Sequence, residues 1–506
     1  MNNQFDELTS SMDQSLTRRG ALKQFGLGLA GMTLVGLLSL PCAAQVATKG
    51  PPIEVSFPNP LAGCNDGFAP PGNWTIQDAG ETCVAVNPLN PKNVVALWMG
   101  GLIQNIITAA SFDGGATWQR STLPVTQCAG GPYLFAGDPW VSFGADGNLY
   151  ASALAGNAFS VSGLFLAVCK SSDGGLHWSA PVIVADGPDH ASITADTTDA
   201  RFAYAVWDQV SGNRGLSIIS RTTDGGLTWE PPRTLVFPRS QNGIQFSQIM
   251  VLPDGTLVDI YEQYFTTLAK KPTTETSLRV LRSTDHGQTW SAPMTAVTMT
   301  PLYITASTSP PNGWTYVIDP ETGQIVQDPV NPSFAVDPMN GNLYAAWEDG
   351  RFSNFQYNDI AFSMSSDGGF TWSDPIRVNQ TPLNVPPDNR QSFLPNIAVA
   401  GNGTIGVAYY DFRFNTPSPG LPTDRWLVPC QPSAGRPATN PTSWGNEVRL
   451  TAASFDMEAC HHWGGAGFFF IGDYEGLAGT GAGFVATFGA VDPNNVTSVF
   501  ARRLGP

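Results

Sequence analysis

One eight-residue pattern returns five times along the chain: SFDGGATW (111–118), SSDGGLHW (171–178), TTDGGLTW (222–229), STDHGQTW (283–290) and SSDGGFTW (365–372). Chance does not produce this, and self-similarity of this kind marks a repeat architecture whose units stack on one another. Each copy reads as a hairpin turn. The Asp carboxylate accepts backbone N–H bonds across the turn, and a Gly takes the positive φ that other residues resist. In the fourth copy His286 stands where the others have their first Gly, so Gly287 is expected to carry the left-handed conformation there.

The surroundings of the turns repeat as well. Upstream lie an apolar strand, a second strand ending in an aromatic, and a third strand that runs into the turn, as in residues 334–337, 342–347 and 359–363; a fourth follows the Trp, as in 372–378. Four antiparallel strands per unit make one propeller blade. A composition of 53 Gly, 41 Pro and 13% charged residues suits such a loop-rich all-β chain. The pattern resembles the Asp-box (bacterial neuraminidase, BNR) repeat of the sialidase superfamily over most of residues 80–450, which implies a single all-β propeller.

The blade count depends on degenerate copies. A sixth unit runs from Pro395 to about Trp444 without a recognisable box, and a seventh, starting near Phe469, stops one strand short after Arg502. The spare strand is at the other end of the chain, at residues 52–57, so seven blades are expected, with the first and last joined. That closure removes exposed strand edges. Six blades, usual in sialidases, is the alternative.

Residues 1–44 read as an address. Thr17-Arg18-Arg19-Gly20-Ala21-Leu22-Lys23, an apolar run over 25–40 and Cys42-Ala43-Ala44 before Gln45 resemble a twin-arginine export signal, which implies a mature chain of 45–506 in the periplasm or outside the cell. A membrane anchor is the competing reading of the apolar run, which is short for a span. Six cysteines follow the leader, compatible with three disulfides, and pairing between neighbours in sequence is the expectation. Asp and Glu outnumber Lys and Arg by 41 to 25, for a net charge of −16, and no basic block is present. Nucleic acid and acidic membrane surfaces are thereby disfavoured as partners of the mature chain, which is expected to be a monomer.

The boxes join third to fourth strands, so they lie on one face of the ring. The long irregular segments 296–332, 380–394, 410–443 and 452–472 lie on the other, where function is expected on a rigid scaffold. The five box aspartates, Asp113, Asp173, Asp224, Asp285 and Asp367, are correspondingly structural. The sialidase resemblance implies three arginines on a substrate carboxylate, a Tyr nucleophile assisted by a Glu, and an Asp acid/base. Arg351, Arg390 and Arg413 are the candidate substrate-binding residues, and Tyr474, Glu348, Glu475 and Asp138 the candidate catalytic ones. The first arginine segment usual in sialidases is absent. Against these roles, Arg351 and Arg413 have ready ion-pair partners in Asp349 and Asp411, and Asp138 and Asp473 suit turn caps.

Asp456, Glu458, Cys460, His461 and His462 are metal-ligand types, but their spacing matches no zinc pattern, and neither metal nor cofactor is expected. No phosphate-cradling loop, nucleophile elbow or nucleotide fingerprint appears. Two function classes remain: an exported glycoside hydrolase acting on terminal sugars, either sialic acids through the residues above or others through a different carboxylate pair on the same acidic face, and a non-catalytic propeller that binds glycan or protein.

Overall fold

In a computed structural model, the described residues are 46–64, 74–101, 103–157, 163–211, 214–238, 242–265, 276–301, 317–327, 331–463 and 468–506; the leader expectation lies outside them. Among the described residues, Ala43–Pro506 holds seven antiparallel sheets in sequence order, each one blade, and two short two-stranded sheets, Val317–Ile318 with Ile325–Gln327 and His462–Trp463 with Phe468–Phe469. In blade 1 the strands are Ala79–Val86, Val94–Gly100, Asn105–Ser111 and Gln119–Thr122. The first strands of the later blades are Phe135–Phe143, Asp189–Ala195, Asn242–Val251, Ser333–Val336, Ser392–Val399 and Gly476–Gly479. They touch one another in succession, and the last touches the first, so they line the central channel. The second strands carry equivalent Trp98, Trp207 and Trp347, all fully buried between blades.

Blade 7 is completed from the N-terminal side, as the strand count predicts. Ala47–Thr48 and Ile53–Glu54 both pair antiparallel with its third strand, Thr497–Gly505. The regular pairing is shorter than the apolar segment 52–57, and Val55 extends it through a 2.9 Å N–H bond to Val499 O. Its side chain is fully buried among Val499 and Ala501 of blade 7 and Ala79, Trp98 and Ile107 of blade 1. Blade 6 closes on Val448–Arg449 without an Asp box.

The boxes behave as turn chemistry dictates. Asp367 Oδ1 accepts from Ser365 Oγ (2.8 Å) and Thr371 N (2.9 Å), Oδ2 accepts from Thr371 Oγ1 (2.6 Å), and Trp372 Nε1 donates to Gly369 O (3.3 Å). In the fourth box Gly287 is left-handed as expected, at φ +76°, but His286 is left-handed as well, at +53°. Its ring stacks on Phe202 with centroids 4.2 Å apart, a contact that offsets the backbone cost of a non-Gly residue there.

The cysteine expectation is corrected. Cys64 pairs with Cys128, not with a sequence neighbour, while Cys83, Cys169, Cys430 and Cys460 are buried free thiols. Three of these four lie in blade strands whose side chains fill the spaces between sheets, where a thiol packs as a small hydrophobe.

Candidate functional site at the channel mouth

Five of the seven inner strands carry a β-bulge at the same place. The register shifts between Gly80 and Cys83, Gly137 and Trp140, Asp189 and Ser192, Gln245 and Gln248, and Phe393 and Asn396. At each shift one non-Gly residue adopts positive φ: Glu81, Asp138, His190, Phe246 and Leu394. A bulge inserts an unpaired residue and re-aims its side chain, at a backbone cost of ~1–3 kcal/mol each that the surrounding ring must sustain. Every bulge lies near the start of a first strand, opposite the end of a second, so all lie at the end of the channel away from the Asp boxes.

Blade 7 has no such bulge among the described residues of its first strand, but Gly472-Asp473-Tyr474, just ahead of that strand, reach the same end of the channel. Gly472 has φ +129° and passes so close to blade 1 that a Cβ there would sit 2.6 Å from Glu81 N, so no larger residue fits. That approach sets Asp473 N 3.4 Å from Glu81 Oε1. Tyr474 reaches to blade 2, its hydroxyl donating to Pro139 O at 3.0 Å and its ring meeting Trp140 edge-on at 5.3 Å. Blades 7, 1 and 2, consecutive around the ring, thus bring Asp473, Glu81 and Asp138 together beside Tyr474.

Next along the arc, His190 Nδ1 lies 3.4 Å from Asp208 and 3.8 Å from Asp189, with its ring against Phe246 at 4.5 Å. Behind it Glu262 accepts from Gln245 Nε2 at 3.0 Å. Asp138, His190, Asp473 and Tyr474 keep partial exposure, whereas Glu81, Asp208 and Glu262 are buried beneath them.

The electrostatics follow from burial and crowding of like charge. Burial, with Asp138 and Asp473 beside it, pushes the Glu81 carboxyl well above the usual range. Burial and Asp189 carry Asp138 up to about 7. Burial also raises Asp208 and Glu262 to about 7. Burial opposes the charge on His190, yet Asp189 and Asp208 outweigh it and hold the imidazole protonated well above its ordinary range. Burial, then Glu81 and Asp138, raise the Tyr474 hydroxyl well above its normal value, so it is a neutral proton donor here, not an activated phenolate.

The other sequence candidates lie elsewhere. Arg351 is bound to Asp349 (Nε to Oδ1 2.8 Å, Nη2 to Oδ2 2.9 Å) and to Thr298 O in the outer strand of blade 4. Arg413 is bound to Asp411 (Nε to Oδ2 2.8 Å) and Glu447 and lies over the Trp426 ring at 3.8 Å, which points it to the outer strands of blade 6. Arg390 donates to Val385 O and Leu383 O and meets the Tyr357 hydroxyl at 3.3 Å. The three guanidiniums are engaged in separate local networks and are not brought together.

Neither glutamate assists Tyr474. Glu348, raised to about 8 by burial, accepts from Leu394 N (3.0 Å) and so caps the bulge of blade 6. Asp208 does the same for Phe246 N of blade 4 (3.0 Å). Glu475 accepts from Tyr410 Oη (2.8 Å) and Gly489 N (2.9 Å). A ring of bulges needs its freed amides satisfied, and a buried acid at the end of the preceding blade's second strand does this twice.

The loop before blade 7 is also spent structurally. Asp456 accepts from Leu421 N and Glu458 N, Glu458 from Gly420 N, and His461 pairs with Asp78. Among the described residues no group of three or more His, Cys, Asp or Glu side chains could hold a metal ion.

Glu81 is the member that sequence reasoning missed. Its signal was there: Gly80-Glu81 occupies the same first-strand position as Gly137-Asp138, and a like Gly-acid step, Gly472-Asp473, precedes the first strand of blade 7.

Among known proteins, the family model for the BNR/Asp-box repeat matches residues 281–292, the fourth box. A comparison with curated proteins finds no match. Similar solved structures include a Dyadobacter fermentans protein of unknown function (11% identity, TM-score 0.44, covering 85% of this chain and 94% of that one). A Penicillium chrysogenum alpha-L-arabinanase complexed with arabinobiose follows (13% identity, TM-score 0.45, 72% and 94%), as does the Hadza microbial sialidase Hz136 (12%, 0.43, 80% and 75%). At such identities these likenesses assign no chemistry to this chain. Its own repeats and sheet order do assign an architecture: it is a seven-bladed β-propeller of the BNR/Asp-box repeat type.

Proposed function

We propose that the channel mouth is the centre of a glycoside hydrolase acting on terminal sugars, with Asp138, Glu81 and Asp473 supplying the acid/base carboxyls and Tyr474 a neutral hydrogen-bond donor. The observation that carries this reading is the placement of two acids at equivalent bulges of blades 1 and 2, with a third from the segment that enters blade 7, around one tyrosine. Glycosidic cleavage needs one carboxyl protonated at working pH to donate to the leaving oxygen and a second, ionised, to act on the opposite side of the sugar. A site in which Asp138 is raised to about 7 by burial and Asp189 meets the first need. The surrounding carboxylates disfavour sialic acid, which would bring a further negative charge, and Arg351, Arg390 and Arg413 are engaged elsewhere. A neutral or cationic terminal sugar therefore fits better than an anionic one.

The same reading places the mature protein outside the cytoplasm. Arg18-Arg19 with the apolar run behind them supports it, as does the Cys64–Cys128 disulfide, a bond favoured by oxidising compartments. Replacing both arginines by Lys should retain the precursor in the cytoplasm; unchanged export would refute a twin-arginine route.

A panel of chromogenic aryl glycosides, sialosides included, tests the activity. Hydrolysis of a non-sialoside is expected, falling at least ~100-fold in Asp138→Asn with the melting curve unchanged, the scale of a lost general acid. Hydrolysis confined to sialosides would overturn the substrate reading. No turnover combined with retention on a glycan array would establish the binding-propeller alternative instead.

A further inference from the structure

Glu81 is only 4% exposed, and its Oε2 has no hydrogen-bond partner among the described residues; Asp208, 5% exposed, leaves Oδ1 in the same condition. Both border the acidic arc, and the only described group there that can offset negative charge, His190, is already shared between Asp189 and Asp208. Buried carboxylate oxygens without partners are costly, and the fold has two routes to satisfy them: a proton on each, or a cation with N–H donors.

Two features favour an organic cation over a metal ion. The described acids do not converge into a group able to hold a metal. The partly exposed Trp140 and Tyr474 rings, 5.3 Å apart at the mouth, add an aromatic wall on which an ammonium gains electrostatic attraction.

We propose that the mouth recognises an alkylammonium group, donating to Glu81 and its neighbouring carboxylates against the Trp140 and Tyr474 rings, and that the preferred substrates are glycosides of sugars bearing a free amine. This rests on the glycosidase reading for the sugar but not for the ammonium. A charged amine in this setting makes charge-assisted hydrogen bonds, stronger than those of a hydroxyl, while an N-acetyl group loses the charge and adds bulk.

The experiment compares p-nitrophenyl 2-amino-2-deoxyglycosides of gluco and galacto configuration with their N-acetylated counterparts. Binding is measured by calorimetry at about pH 6, where an amine is protonated, and turnover by nitrophenol release. At least one amine should bind ~10-fold or more tighter than its acetamide, a difference of about 1.4 kcal/mol. Binding should release protons, because the carboxyls ionise on meeting the cation. Both Glu81→Gln and Asp138→Asn should reduce the preference, so that a folding defect in one does not decide the result. Turnover of neutral or acetylated glycosides with no amine preference would overturn the ammonium site while leaving the glycosidase reading standing. Amine preference lost in the variants, without any turnover, would support the ammonium site and refute the glycosidase.

Discussion

Ring closure by the N-terminal segment yields the sharpest stability prediction, at Val55. This side chain is fully buried at the seam where blade 7 meets blade 1, and its amide bonds Val499 O at 2.9 Å. Val55→Ala leaves that backbone bond intact and removes two methyl groups, worth ~1.6 kcal/mol of transfer free energy at about 0.8 kcal/mol each. A residual void of roughly 40 Å³ between sheets that cannot collapse adds ~1 kcal/mol. The sum is about 2–3 kcal/mol. Unfolding of a domain as long as Ala43–Pro506 carries an entropy of ~1 kcal/mol/K, so the melting temperature should fall by about 2–3 °C. The control is Leu227→Ala, on the box face and 80% exposed, which should stay within about 0.5 kcal/mol. Calorimetry and urea denaturation read both. A Val55→Ala protein indistinguishable from wild type, or a chain without residues 46–58 that melts as the intact one does, would refute closure by this segment.

Arg413→Ala should destabilise by about 3–5 kcal/mol, because fully buried Asp411 loses its partner, and should leave any glycosidase activity of the folded fraction unchanged. A specific loss of turnover at unchanged stability would restore the arginine to the site. Asp367→Ala removes three turn hydrogen bonds at a partly solvated site, which predicts a loss of ~1–3 kcal/mol in denaturant titration without effect on turnover. Stability should depend on pH with two opposing signs. Glu348 (about 8), Asp208 and Glu262 (about 7), all raised by burial, keep protons in the folded state that the unfolded chain releases, so their contribution is full in acid and is lost as pH rises through 7–8. Asp224 and Asp285, lowered to about 2 by the Thr228 and Thr289 hydroxyls, contribute above the ordinary carboxylate range and lose it as pH falls toward 2. Melting temperature should therefore decline between about pH 5 and pH 9, less steeply in Glu348→Gln; a flat profile would contradict the buried protonated carboxyls.

The blades, the box turns and the N-terminal closure were legible in the sequence because their causes are local: short apolar runs separated by turns, an Asp and a Gly at fixed offsets, and a strand count one short at one end and one over at the other. The ion pairs of Arg351 and Arg413 were equally local, each two residues from its aspartate, and proximity along the chain won over convergence across blades. The left-handed His286 and the Cys64–Cys128 bond escaped, since Phe202 and Cys128 are brought near by folding alone. The acidic mouth lies between these cases. Sequence supplied Asp138, Asp473 and Tyr474 and the repeating Gly-acid step, but the turning of Asp138 and Glu81 toward Asp473 and Tyr474 depends on bulges that shift strand register by one residue. A one-residue shift reverses which way a side chain faces, and only pairing between whole strands sets it.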